Sequence, residues 1–141
     1  MINFRKIFLS FLFIICTNIF ITGCSNNTES TKLEISSNIA KLKIVTDENS
    51  ILYEKELTFK DGDTVFDLLK NFCRENNIFM DFSGRGSSAY VTAIGNLHQL
   101  DKGPQSGWTY KVNNEMPSVG CGDYKLKQGD IVIFQYITSY E

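Results

Sequence analysis

The chain has 141 residues, 14 basic and 16 acidic side chains, a single histidine and a formal net charge of −2. Without a basic surplus, the composition argues against nucleic acid and anionic lipid headgroups as partners. The length allows one hydrophobic core beyond a leader and is too short for two.

The N-terminus predicts an address. Arg5 and Lys6 precede an apolar run from Ile7 to Ile21, shorter than the roughly 20 residues of a membrane span but suited to a signal-peptide core. The run closes on Ile21-Thr22-Gly23-Cys24, which resembles a bacterial lipobox. Residues 1–23 are then a lipoprotein signal peptide, and Cys24 takes the lipid and becomes the new N-terminus. An acyl lipid adds about 0.8 kcal/mol per buried CH₂, so two or three chains hold a protein at the outer face of the cytoplasmic membrane without a spanning helix. The alternative is an uncleaved signal anchor with Cys24 an ordinary thiol. Cleavage removes two basic residues and no acidic one, leaving a net charge of −4. Residues 24–39, rich in Ser, Thr and Asn, read as a lipidated flexible tether.

Residues 40–141 carry legible periods. Leu42, Ile44 and Thr46 alternate with lysines, and after the Asp47-Glu48-Asn49-Ser50 turn the stretch Ile51 to Phe59 is strand-like. Together they predict an opening β-hairpin. Asp61-Gly62-Asp63 breaks the pattern and reads as turn and cap, lacking the rest of a calcium loop. Thr64 is placed to cap a helix with Asp67 three residues on. Val65, Leu68, Leu69 and Phe72 form one apolar stripe, and the helix is expected to end near Asn76-Asn77. Ile78 to Phe82 predicts a short strand. Gly84-Arg85-Gly86-Ser87-Ser88 lacks the ending of a P-loop and reads as a turn rather than a phosphate cradle. Ala89 to Ile94 predicts a strand, Gly95 to Gly107 a long loop, Trp108 to Val112 a strand and Ile131 to Thr138 the closing strand. This layout is α+β, a β-grasp-like mixed sheet packed on one helix.

Trp108 and Tyr110 lie two apart on an extended strand, so both point to one face. Beyond them come the Asn113-Asn114-Glu115 turn, an apolar bend with Met116, Pro117 and Val119, and the Gly120-Cys121-Gly122-Asp123-Tyr124 corner. A Lys-Gln-Gly-Asp turn then opens the last strand. On Gly107-Trp108, Gly120 with Asp123-Tyr124, and Gly129-Asp130, the chain resembles the transcobalamin-like C-terminal domain, DUF4430. That domain is found in Gram-positive surface lipoproteins and is related to the C-terminal domain of intrinsic factor and transcobalamin. Asp61 to Leu69 and Ser88 to Val91 add support, and the resemblance spans about residues 40–138.

The resemblance implies a fold of the β-grasp kind and, as first ligand, a corrinoid or another bulky ring system. In intrinsic factor and transcobalamin the related domain closes over cobalamin bound against a larger helical domain. This chain has no such partner domain and offers half of such a site. Tyr90, Trp108, Tyr110, Met116 and Tyr124 are the candidate ligand contacts, because flat amphipathic side chains cover apolar rings while OH and NH groups orient the rim. The competing assignment places these aromatics in the core. His98, in the long loop, is a candidate axial ligand to cobalt or iron in a macrocycle, or a plain solvated residue.

Two cysteines remain in the domain. Cys73 and Cys121 either form a disulfide, closing a loop of about 49 residues for roughly 4 kcal/mol on the chain-entropy account, or stay separate thiols. Catalysis has little support: no Gly-x-Ser-x-Gly elbow, no metal-ligand spacing around His98, and nothing that brings Cys121 to His98. No metal site and no enzyme activity is expected. Two functions stay open. One is a lipid-anchored extracytoplasmic module capturing a cobalamin or other corrinoid for an uptake transporter. The other is a cell-envelope interaction or structural module with no small ligand.

Overall fold

A computed structural model describes residues 37–46 and 50–139; the expected signal peptide, Cys24, all but the last residues of the expected tether and most of the expected turn at Asp47-Glu48-Asn49-Ser50 lie outside them. The order is β1 (Asn38–Val45), β2 (Ile51–Phe59), α1 (Val65–Glu75), β3 (Met80–Ser83), β4 (Tyr90–Ile94), β5 (Leu97–His98), β6 (Gly107–Val112) and β7 (Ile131–Ile137). Four strands form one sheet in the order β2-β1-β7-β6, and three form a second in the order β3-β4-β5.

The first sheet is mixed. β1 and β2 are antiparallel, β7 lies parallel to β1, and β6 runs antiparallel to β7. The opening and closing strands therefore hold the centre. Alternation then does what a period of two requires: Ala40, Leu42 and Ile44 of β1 join Val132, Phe134 and Tyr136 of β7 in the buried face. Lys41 and Lys43 point the other way, and both reach Glu54 on β2, at 3.3 and 3.1 Å. Those bonds, the Lys43 one foremost, hold the Glu54 carboxyl below its usual range.

The helix closes that core. Val65, Leu68, Leu69, Phe72 and Cys73 are its buried side. Thr64 and Asp67 form the expected capping box, with Asp67 N donating to Thr64 Oγ1 at 3.1 Å and Thr64 N to Asp67 Oδ2 at 3.0 Å. The next orphan donors at the helix start are met by chain from far away: Val65 N donates to Tyr124 O (3.1 Å) and Phe66 N to Cys121 O (3.0 Å). The Gly120–Tyr124 corner thus serves as an outer cap for α1.

The second sheet refines the expected pattern. The strand read at Ile78–Phe82 begins at Met80, because Ile78 N is used to close the helix end on Cys73 O (2.9 Å). The region read as one long loop contains β5, which pairs Leu97 with Ile94 and His98 with Ala93. Two residues are too few to show a strand period. Gly86–Ser88 is a 3₁₀ turn between β3 and β4, as the turn reading of that segment expects.

Candidate functional site

An open cleft of about 200 Å³ lies between the start of β4, the middle of β6 and the bend before the Gly120–Tyr124 corner. Tyr90, Trp108, Tyr110 and Met116 line it, with Phe134 and Cys121 behind them. Four of the five aromatic and Met residues singled out from the sequence therefore converge on one surface. Two strands and the bend supply them, which is why no single window of sequence displays the cleft.

The roles of the side chains differ from the expectation. Trp108 is only 2 % exposed and packs edge-on against Tyr136 at 5.3 Å. Its indole N–H donates to Leu97 O at 3.0 Å. Tyr110 is half-buried and stacks on Phe134 at 6.0 Å, and its hydroxyl donates to Val119 O at 2.5 Å. Burial first, and the nearby Cys121, Tyr124 and Asp123 after it, push the Tyr110 phenol up to about 12. The aromatic face of β6 is thus the core-facing one. Its polar edges hold neighbouring loops in place and do not stand free to orient a ligand's rim. Met116 is different: 60 % exposed, it forms the outer lip.

Tyr124 is not among the residues lining the cleft. Its carbonyl caps α1, its ring packs half-buried against the core, and burial with Asp130 and Glu115 raises its phenol. His98 is outside the cleft as well: it sits exposed on β5 with its ring tilted over Phe79 at 5.8 Å. Cys73 and Cys121 are separate, buried, free thiols, so the bridged alternative is not the one the fold adopts. Each was placed in a different packing context: Cys73 on the helix stripe, Cys121 with its Sγ 3.5 Å from Ala89 O. Burial raises both from 9.0 to about 11. Among the described residues no group of three or more His, Cys, Asp or Glu could hold a metal ion.

Glycines allow close backbone approaches beside the cleft. A Cβ on Gly107 would stand 2.6 Å from the Tyr90 hydroxyl. One on Gly120 would meet Ser87 O at 2.5 Å, and one on Gly122 would meet Gly86 O at 2.1 Å. Only bare backbone lets the corner approach the 3₁₀ turn this closely. The Gly-Cys-Gly spelling was the available signal.

The family model for DUF4430, a domain of unknown function, matches residues 62–138, more than half of the chain. The chain belongs to the DUF4430 family. Every residue lining the cleft falls inside the match, whereas β1 and β2 precede it. No curated protein matches the chain. Among solved structures, haptocorrin in complex with Cbi is similar over 74 % of this chain, with 18 % identity and a TM-score of 0.60. A Ruminococcus gnavus protein provisionally described as metal binding is similar over 74 % of this chain and 100 % of its own, with 12 % identity and a TM-score of 0.53. At these identities the likeness is one of fold. The chain spans 26 % of the haptocorrin chain. The fold is accordingly shared with part of the haptocorrin chain, and among the described residues it is an α+β unit of mostly sheet with one α-helix.

Proposed function

We propose that this DUF4430 chain is a lipid-anchored extracytoplasmic binding module whose aromatic cleft grips the edge of a bulky ring ligand, with a corrinoid as first candidate. The observation that carries the reading is the convergence of Tyr90, Trp108, Tyr110 and Met116 on one apolar cleft. Size sets the mode of binding. Sites that enclose a small molecule run to roughly 300–1,000 Å³, so a cleft of about 200 Å³ takes part of such a ligand and leaves the rest for a second surface. That agrees with a domain covering a quarter of the haptocorrin chain.

Since Trp108 and Tyr110 have committed their polar atoms to the Leu97 and Val119 carbonyls, recognition in the cleft is by apolar contact and shape. The chemistry is binding, not catalysis. Cys121, the thiol lining the cleft, is kept protonated by burial, and a thiol is a poor nucleophile compared with its thiolate. The anchor at Cys24 would hold the module at the outer membrane face, where an uptake transporter could receive its cargo.

Equilibrium dialysis of cobinamide and cobalamin against the segment from Ser25 onward tests the reading. Retention of either, displaced by the other, supports it; free passage of both removes the corrinoid.

A further inference from the structure

A second cleft, about 570 Å³, is larger than the aromatic one and shares no residue with it. It runs between the end of β2, at Leu57, Thr58 and Phe59, and the flank of α1, at Leu68, Asn71 and Phe72. β2 is an end strand of its sheet, with no strand beyond it among the described residues. Such an edge presents N–H and C=O groups that only another extended backbone can pair in register. A bulge opposite Val45 leaves Leu52 unmatched, so the regular edge runs from Tyr53 to Phe59.

The charges along that edge are unevenly used. Lys41 lies opposite Glu56 in register, yet both Lys41 and Lys43 turn to Glu54. Among the described residues Lys55 and Glu56 take part in no ion pair. The pleat places them on opposite faces. Lys55 and Leu57 stand opposite Leu42 and Ala40, on the helix side, and Glu56 stands on the outer side.

We infer that the β2 edge and the cleft beside α1 accept an extended antiparallel segment of a partner protein bearing, from N to C, an apolar, a basic and an acidic residue. In that register the acidic residue faces Lys55, the basic one faces Glu56, and the apolar one faces Leu57 and enters the cleft. Directly opposed side chains of this kind interact across strands, and like charges repel. A second copy of β2 is a poor occupant in the register centred on the charged pair: a two-fold at Lys55 would set Lys55 against Lys55 and Glu54 against Glu56. The charge pattern lies on β1 and β2, which precede the family match at residue 62. The inference does not depend on the corrinoid reading.

The test uses the segment from Ser25 onward, because the buried core lies wholly between Ala40 and Tyr136. A blocked peptide of sequence Thr-Val-Leu-Lys-Glu-Val-Thr is titrated into the ¹⁵N-labelled protein, beside its charge-exchanged twin Thr-Val-Leu-Glu-Lys-Val-Thr. The first is expected to shift the amides of Tyr53 to Phe59 and of α1, and to bind about tenfold more tightly than the second. The exposed double variant Lys55→Glu with Glu56→Lys, its fold checked by its own amide spectrum, should reverse that order. Equal binding of the two peptides, shifts confined to the aromatic cleft, absence of shifts, or a concentration-dependent dimer through β2 would each overturn the proposal.

Discussion

The Tyr136 hydroxyl, fully buried on β7, donates to the His98 carbonyl at 2.6 Å. The same oxygen lies 2.9 Å from Ser106 Oγ, which in turn accepts from Lys102 N and donates to Gly103 O. One phenol on a central strand thus pins both ends of the segment that joins β5 to β6, and Trp108 adds a third tie through Leu97. Tyr136→Phe keeps the ring and removes one of two donors to the His98 carbonyl, which still accepts from Asp101 N at 3.2 Å, so it should cost about 0.5–1.5 kcal/mol. Chemical denaturation measures the loss, and hydrogen exchange should quicken at Gln99 to Ser106 before it does in β7.

Trp108 is a structural residue first. Its near-complete burial and its bond to Leu97 predict that Trp108→Ala destabilises by about 3–5 kcal/mol, read by thermal or urea unfolding. A ligand test built on that substitution would confuse binding with folding. Met116→Ala removes an exposed lip and should leave stability within about 0.5 kcal/mol.

The glycine corner makes a sharper claim. Gly122→Ala drives a methyl onto Gly86 O, backbone against backbone, and Gly120→Ala does the same at Ser87 O. Each is expected to destabilise by about 2 kcal/mol or more. Because Cys121 O caps the start of α1, circular dichroism should show helix loss ahead of sheet loss. Gly62→Ala, with open space around its Cβ but φ at +87°, should cost about 1 kcal/mol, a backbone effect alone.

Alkaline stability follows from the two buried thiols. Their folded values, about 11, stand above the ordinary 9.0 because burial disfavours the thiolate. Below pH 9 both states keep the proton and stability is unaffected. Above it the unfolded chain releases protons that the folded chain retains, so stability falls between pH 9 and 11. The double variant Cys73→Ala with Cys121→Ala should be less stable overall yet show a shallower decline over that window in urea titrations. In the parent, two thiols should react with a disulfide reagent after unfolding and react slowly before it.

Much of the fold was legible. The alternation in β1, the capping pair Thr64 and Asp67, and the stripe on α1 are local signals, and each appears where it was expected. What stayed hidden was non-local. β5 exists only because two residues find a partner in β4, and Ile78 was drawn away from its strand by the helix end. The candidate site was half readable: composition concentrated aromatics near one cleft, but it could not say that Trp108 and Tyr110 spend their polar atoms on the Leu97 and Val119 carbonyls. Tyr124 looked like a ligand contact by type, whereas its backbone serves the helix.

The central claim is that the aromatic cleft holds a corrinoid by its edge. Calorimetric titration of cobinamide and cobalamin into the segment from Ser25 onward, with absorption spectra recorded alongside, tests it most directly. The account predicts micromolar or tighter binding, weakened about tenfold by Met116→Ala with no change in fold and left unaltered by His98→Ala. Absence of heat and of any spectral change, or binding that Met116→Ala leaves untouched, would contradict it.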